Sequence, residues 1–307
     1  MVLHYRFRLS LAMVFVSIAS SSLTSRVCAA GEAKVVLLGS GTPIPDPDSS
    51  GPAVAVLVNG QAYLFDAGAG VVRRAQAASR TLGIAALDAT RLDRVFFTHL
   101  HSDHTLGLPD LILTPWVVGR SEALEVYGPN GISAMTEHIK EAYAQDIAIR
   151  TQGLEHQNLS GLKVNVHEFE TEGQIYKDSN ITVTAIAVRH GSWPLAFGYA
   201  INAEGRKIVI SGDTAPTSAI VDACQGCDVL LHEVYSAERL PPAGSNYHTA
   251  FHTSTKELGE IATKARPKLL VLYHQLYFGA PNEVDLKKEI RQVYSGAVVN
   301  GRDLGVY

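Results

Sequence analysis

Cysteine is scarce, with three in 307 residues, so a disulfide-stapled scaffold is excluded. Only Cys224 and Cys227, in Cys224-Gln225-Gly226-Cys227, stand close together. A zinc ribbon needs a second such pair, and the chain has none. These two are left as either a local disulfide or two small residues ending a helix. Basic charge is also in deficit, with 26 Lys and Arg against 30 Asp and Glu. Beyond the N-terminus no apolar run is long enough to cross a bilayer as a helix. Short repeats and low-complexity linkers are missing too, which points to one mature domain, residues 31–307.

The first 30 residues read as an export signal. Arg6 and Arg8 precede the apolar run Leu9–Ala19, and a polar stretch ends at Val27-Cys28-Ala29-Ala30. Cleavage after Ala29 or Ala30 removes three arginines and no acids. The mature chain then carries 23 basic and 30 acidic side chains, a balance of −7. A periplasmic or secreted location follows. A surface of that sign does not draw nucleic acid by charge, so nucleic acid is not the expected partner. Hydrophobic content of 46% with 18% charged residues is that of a globular chain. A homodimer is left open.

One stretch organises the chemistry: Thr98-His99-Leu100-His101-Ser102-Asp103-His104. It follows the buried-strand pattern Arg94–Phe97 and precedes a helical pattern from Leu106. On extended backbone His99 and His101 point to one side, and the turn after them swings Asp103 and His104 towards a neighbouring point. Four ligand-type side chains within six residues suit two metal ions better than one. Imidazole with carboxylate favours zinc and its neighbours.

This pattern resembles the signature of the metallo-β-lactamase superfamily. The likeness runs from about Lys34 to Tyr307, carried also by Leu38-Gly39-Ser40-Gly41-Thr42-Pro43, Phe65-Asp66-Ala67-Gly68, Tyr127-Gly128-Pro129 and Ser211-Gly212-Asp213-Thr214. Within the superfamily the chain looks most like an arylsulfatase-like branch, related to the tRNA 3′-processing endonucleases of the ribonuclease Z group. The resemblance implies an α/β fold, a four-layer αββα sandwich with metals between two sheets. It further implies two zinc ions per chain. His99, His101 and His190 would hold one, Asp103, His104 and His274 the other, and Asp213 would join them. Asp66 is implied to stand behind the ligands, although from sequence alone it could equally cap the helix that follows.

The element pattern agrees with a sandwich. Strands are expected at Lys34–Leu38, Ala53–Val58, Gln61–Phe65, Leu124–Tyr127, Leu162–Phe169, Ile181–Val188, Ala196–Ile201, Lys207–Ile210, Val229–Leu231 and Leu269–Tyr273. Helices are expected over Val71–Ala78, Leu106–Leu113, Ile132–Tyr143, Ser254–Lys264 and Val284–Val293, with Arg150–Ser160 as a loop. Ligand-type residues recur at strand ends, and helix and strand alternate too irregularly for a doubly wound sheet.

Three residues are assigned catalytic roles by the resemblance. Asp103 would orient the attacking water as well as bind metal. His252 matches a histidine that faces substrate and donates a proton, and Glu233 would orient it. His232 and His248 are read as structural. Trp193, just after His190, is expected to wall the leaving group, with Trp116 as a weaker candidate. Only 22 residues separate His190 from Asp213, too few for the long arm that tRNA-processing relatives carry there. The expected activity is therefore hydrolysis of small anionic esters, with arylsulfatase as the main reading. Its alternatives are a ribonuclease Z-like phosphodiesterase, a lactonase or β-lactamase, and a non-catalytic metal-binding relative.

Overall fold

Alternate residues of each strand feed two different cores, and this alternation builds the layers. The computed structural model describes residues 33–239, 245–278 and 284–307; the expected export signal lies outside them. In β1 (Lys34–Gly39) and β2 (Ala53–Val58), Val35, Leu37, Val54 and Val56 enter a central core. Their neighbours Val36, Leu38, Ala53 and Ala55 enter an outer one. β3 (Gln61–Phe65), β4 (Arg94–Phe96), β5 (Leu124–Pro129), β6 (Val164–Phe169) and the short β14 (Gly305–Val306) complete the first sheet, in the order β14–β1–β2–β3–β4–β5–β6.

The second sheet contains β7 (Gly173–Lys177), β8 (Ile181–Ala187), β9 (Phe197–Ala203), β10 (Arg206–Ile210), β11 (Val229–Tyr235), β12 (Leu269–Leu276) and β13 (Val298–Asn300). Its order is β13–β12–β11–β10–β9–β8–β7. Helices α1 (Val71–Leu82), α2 (Ser102–Thr105), α3 (Leu108–Val117), α4 (Ile132–Ala142) and α5 (Ala144–Gln152) belong to the first half. In the second, α6 (Ser218–Cys224), α7 (Ser245–Phe251), α8 (Thr255–Ala265) and α9 (Leu286–Ile290) follow. Apolar faces of α1, α3 and α4 cover the first sheet, and those of α6, α8 and α9 the second. The result is the expected αββα sandwich.

Each sheet is half parallel, and that half positions the site. β3, β4, β5 and β6 pair in parallel, as do β10, β11, β12 and β13. Parallel strands need helical crossovers and end on one shared edge. Asp66, His99, Asp213, Glu233 and His274 all stand at or just past such strand ends. β8 runs antiparallel to β9, which runs antiparallel to β10, so β8 also ends there and delivers His190.

Some local expectations change. Arg150–Ser160 is not all loop, because α5 runs on to Gln152 with no buried residue and hence no core pattern to read. β7 and α7 were not anticipated. β7 is a half-exposed edge strand, and α7 has only seven residues. Cys224 and Cys227 are joined by a disulfide at the end of α6.

Arg120 is fully buried and donates to the carbonyls of Leu92, Leu111, Ile112 and Gly161. It thereby ties the end of α3 to two loops. Burial pulls its pKa down to about 10, so the guanidinium stays charged at neutral pH. The two sheets are also tied at one end by Asp178, which accepts from Tyr63 Oη of β3 (2.7 Å) and Tyr176 Oη of β7 (2.8 Å). Burial works against its charge, but these hydroxyls and the Asn180 and Ile181 amides hold its pKa below the ordinary value. A depressed carboxylate contributes stability above its unfolded pKa of about 3.9 and loses it as pH falls through the folded value. Asp178→Asn is therefore expected to lower Tm at pH 7 by roughly 2–4 °C, about 1 kcal/mol in a domain this size. That deficit should shrink below about pH 4, as thermal melts across pH would measure; a pH-independent deficit would show that its charge is not what matters.

Candidate metal centre

His99 and His101 leave the end of β4, and their ring nitrogens converge with that of His190. His99 Nε2 and His190 Nε2 each lie 3.0 Å from His101 Nδ1. Asp103, His104 and His274 form a second group: His274 Nε2 is 3.2 Å and His104 Nε2 3.5 Å from Asp103 Oδ2. Asp213 stands between the groups. Its carboxylate oxygens lie 3.4 Å from His104 Nε2, 3.3 Å from His274 Nε2 and 4.0 Å from His190 Nε2. The structure thus brings all seven sequence-predicted ligand positions together, six of them buried and His101 half-buried.

Sheet contact makes this convergence possible. Gly212, at φ +61°, has its Cα against Phe197 O and the Thr98 side chain, and a Cβ there would sit 2.4 Å from that oxygen. A side chain would push Asp213, carried by the second sheet, away from Thr98 and His99 on the first. Phe197 N also donates to Thr98 O at 2.9 Å, a direct backbone link between the sheets.

Asp66 settles its ambiguity. Gly70 occupies the N-cap of α1, with no side-chain cap. Asp66 Oδ1 instead accepts from Thr98 N (2.8 Å), while Oδ2 lies 2.8 Å from His104 Nδ1 and 2.9 Å from Thr98 Oγ1. A hydrogen bond from Nδ1–H to Asp66 would, with a metal bound, leave the His104 Nε2 lone pair facing Asp103 and Asp213. His190 Nδ1 likewise donates to Phe251 O at 2.8 Å, which frees Nε2.

These residues fit a divalent cation. Among the described residues, His104 Nε2 and Asp213 Oδ1 are buried with no well-formed hydrogen bond and only face each other at 3.4 Å, an arrangement that a bound positive charge between them would stabilise. Burial, reinforced by His104, holds His99 well below its usual pKa, and burial takes His190 down to about 4. Burial lowers His101 as well. All three are neutral donors at pH 7. Burial also presses His104 down, yet Asp213 and Asp66 outweigh it and pull its pKa well above normal. Burial would raise Asp213, but His274 and His104 hold it well below the carboxylate range. The centre attracts positive charge. Five imidazoles and two carboxylates suit zinc and its neighbours.

Beside the centre lies His252, with Nδ1 3.4 Å from Glu233 Oε2 and 3.9 Å from Asp213 Oδ2. Glu233 is fixed through its other oxygen, which accepts from Thr253 N (2.8 Å) and Thr214 N (3.3 Å). Burial lowers the His252 pKa, but Glu233 more than offsets this and raises it. His232 is buried in β11 and joins none of these groups, and its Nδ1 lies 2.6 Å from Glu233 O. Trp193 is half-buried, with Nε1 2.6 Å from His101 Nε2, so its polar edge meets the centre. Trp116 is buried in the outer core and walls nothing. Sequence reasoning missed Thr98, Phe251 and Tyr247. It also missed Asp303, which ties down the 40–50 loop through Ser40 N and Ser50 N, both at 2.8 Å. Hydroxyls and main-chain carbonyls carry no sequence signal for such roles.

A model of the beta-lactamase superfamily domain matches residues 61–275. A ribonuclease Z of Mycobacterium bovis is 31% identical over 279 residues, covering 88% of this chain and 96% of that protein. Among solved structures, a metallo-β-lactamase fold protein of Bacillus subtilis superposes with a TM-score of 0.67 at 20% identity, over 90% of this chain and 99% of its own. The short form of human tRNase Z gives 0.66 at 24% identity, over 89% and 98%. Two expectations are corrected by these findings. The arylsulfatase-like reading gives way, because the curated relatives carry the ribonuclease Z name. The exclusion of nucleic acid gives way with it. The short His190–Asp213 segment does form a plain hairpin, β9–β10, but the chain still covers 96% of that ribonuclease Z, so the hairpin does not set it apart.

Removing the Asp66 charge tests the centre. Asp66→Asn should weaken retention of zinc by about 10–100-fold in chelator competition, since an amide NH2 facing His104 Nδ1–H no longer fixes the tautomer. Unchanged retention would leave Asp66 a packing role only.

Proposed function

We propose that this chain, which belongs to the β-lactamase superfamily of metal-dependent hydrolases, is a phosphodiesterase of the ribonuclease Z-like group with two zinc ions per chain. The carrying observation is the match to ribonuclease Z along nearly its whole length. His99, His101 and His190 would hold one ion, Asp103, His104 and His274 the other, with Asp213 shared. When bound, such ions supply Lewis-acid charge for phosphoryl oxygens and lower the pKa of an attacking water.

The chain's own residues complete the chemistry. Asp103, whose Oδ2 lies 3.2 Å from His274 Nε2 and 3.5 Å from His104 Nε2, would also orient the nucleophile. His252, kept protonated near neutrality by Glu233, gives its proton to the leaving oxygen. Glu233 is a positioning residue, anchored by two backbone amides and aimed at His252 Nδ1. Because the His252 pKa is raised, the active form persists at neutral pH and is lost as pH rises through that value.

Three variants separate these roles. His252→Ala should keep its metal and lose activity by ~10²–10⁴-fold. The loss should shrink as the leaving group of an aryl phosphodiester becomes more acidic, and the alkaline limb of the rate profile should disappear. Asp213→Ala should lose metal and activity with every ester, while Glu233→Gln should keep metal and fall between. Elemental analysis and rates across graded esters would decide; a metal-poor His252→Ala would make His252 a ligand instead.

Export is part of the same proposal. It is supported by the Arg6/Arg8 start, the apolar run to Ala19 and the Cys224–Cys227 disulfide, a bond suited to an oxidising compartment. N-terminal sequencing of the native protein should find a chain starting near Gly31. A cytoplasmic chain starting at Met1 would overturn it.

A further inference from the structure

Single exposed apolar side chains are ordinary on a protein surface. Tyr247 is different, because it ends a run of rings that starts at the metal centre. Its ring stacks on Phe251 with centroids 4.3 Å apart and planes 22° from parallel. Phe251 in turn lies 6.5 Å from the His101 ring at 19°, and meets the edge of His190 at 4.9 Å and 82°. Tyr247 is half exposed and also meets the His248 ring edge-on at 5.2 Å, so part of its ring stays open one ring removed from the ligand histidines.

This pair is held rigidly. Phe251 O accepts the hydrogen bond from His190 Nδ1–H, and Gly191 N donates to Ala250 O at 3.0 Å. Gly191 sits at φ +54°, and a Cβ there would fall 2.0 Å from the Phe251 ring. The glycine therefore lets Phe251 lie flat against the turn that carries His190. A second apolar surface faces the same centre: exposed Ile44 and Leu106 line a hollow of about 730 Å³ together with Asp103. Among the described residues, neither lysine nor arginine lines that hollow.

We propose that Tyr247, supported by Phe251, is a stacking shelf for a nucleobase of the substrate, the base on the nucleoside next to the scissile phosphate. The inference rests on the phosphodiesterase reading and narrows its substrate class. A preordered, uncharged aromatic face binds any base through its π-surface, independent of sequence. Joined to the ligand histidines through Phe251, it holds the phosphorus over the centre by gripping the neighbouring base.

Two diesters with one leaving group test the shelf: thymidine 5′-(p-nitrophenyl phosphate) and methyl p-nitrophenyl phosphate, with zinc-loaded full-length protein. Tyr247→Ala should raise KM for the thymidine ester by about 5- to 100-fold, the range that stacking of one base covers. Its kcat, and both constants for the methyl ester, should stay within about twofold, and Tyr247→Phe should restore the wild-type KM. Equal losses with both esters, or none, would overturn the shelf. A binding arm keeps this separate from the catalytic reading: calorimetry should show thymidine 5′-monophosphate binding more tightly than ribose 5-phosphate, with the difference lost in Tyr247→Ala. If the wild type hydrolyses neither diester but shows that difference, the phosphodiesterase reading falls and the shelf stands. No preference for the base-bearing ligand would overturn the shelf.

Discussion

A single buried carboxylate orders the centre. Asp66 accepts the Thr98 amide and hydroxyl and the His104 Nδ1 proton within 3.1 Å. Those bonds hold the end of β3 to the turn after β4, and they decide which nitrogen of His104 faces inward. Without them the two arms of the ligand loop would be free to rotate, and His104 could present a proton where a lone pair is needed. Asp66 itself adopts φ +60° to make these contacts. That conformation costs on the order of 1 kcal/mol for a residue with a Cβ, which two charge-assisted hydrogen bonds readily offset.

Across the cleft the second sheet supplies the complement, and it can do so only because the sheets touch. Gly212 admits Thr98, and Phe197 joins it through the backbone, so Asp213 reaches both groups of histidines. Glu233 and His252 are then hung from the same contact region through the Thr214 and Thr253 amides. On the proposed reading, proton donation and metal retention fall to separate residues on a shared scaffold. They are expected to fail separately when mutated.

The relatives and the site inform different levels of the function. Superposition on proteins under 25% identical establishes the αββα architecture. The 31% match to ribonuclease Z favours the proposed phosphodiesterase reading over the sulfatase one, a choice that the ligands alone do not decide. Sulfate monoesters and phosphodiesters present the same charge and shape to such a centre, so a reading built on ligands, export and net charge had nothing to separate them. The rim holds both Trp193, whose indole N–H is directed at His101, and the stacked aromatic pair on α7.

Sequence by itself marked the candidate ligand positions, the strand ends that present them and the layered class of fold. Those features are short-range: His99-x-His101-x-Asp103-His104 is one loop, and alternation along each strand follows from backbone geometry. It was less able to see α5, β7 and α7, which are short or exposed and leave no strong apolar period. Tertiary structure alone decided that Asp66 holds His104 and does not cap α1, that Cys224 and Cys227 are bonded, and that Phe251 braces His190 while carrying Tyr247. The Asp66 and Phe251 contacts depend on a partner far along the chain or on a main-chain carbonyl, and the disulfide on how the end of α6 turns; neither distance nor backbone direction is written in residue identity.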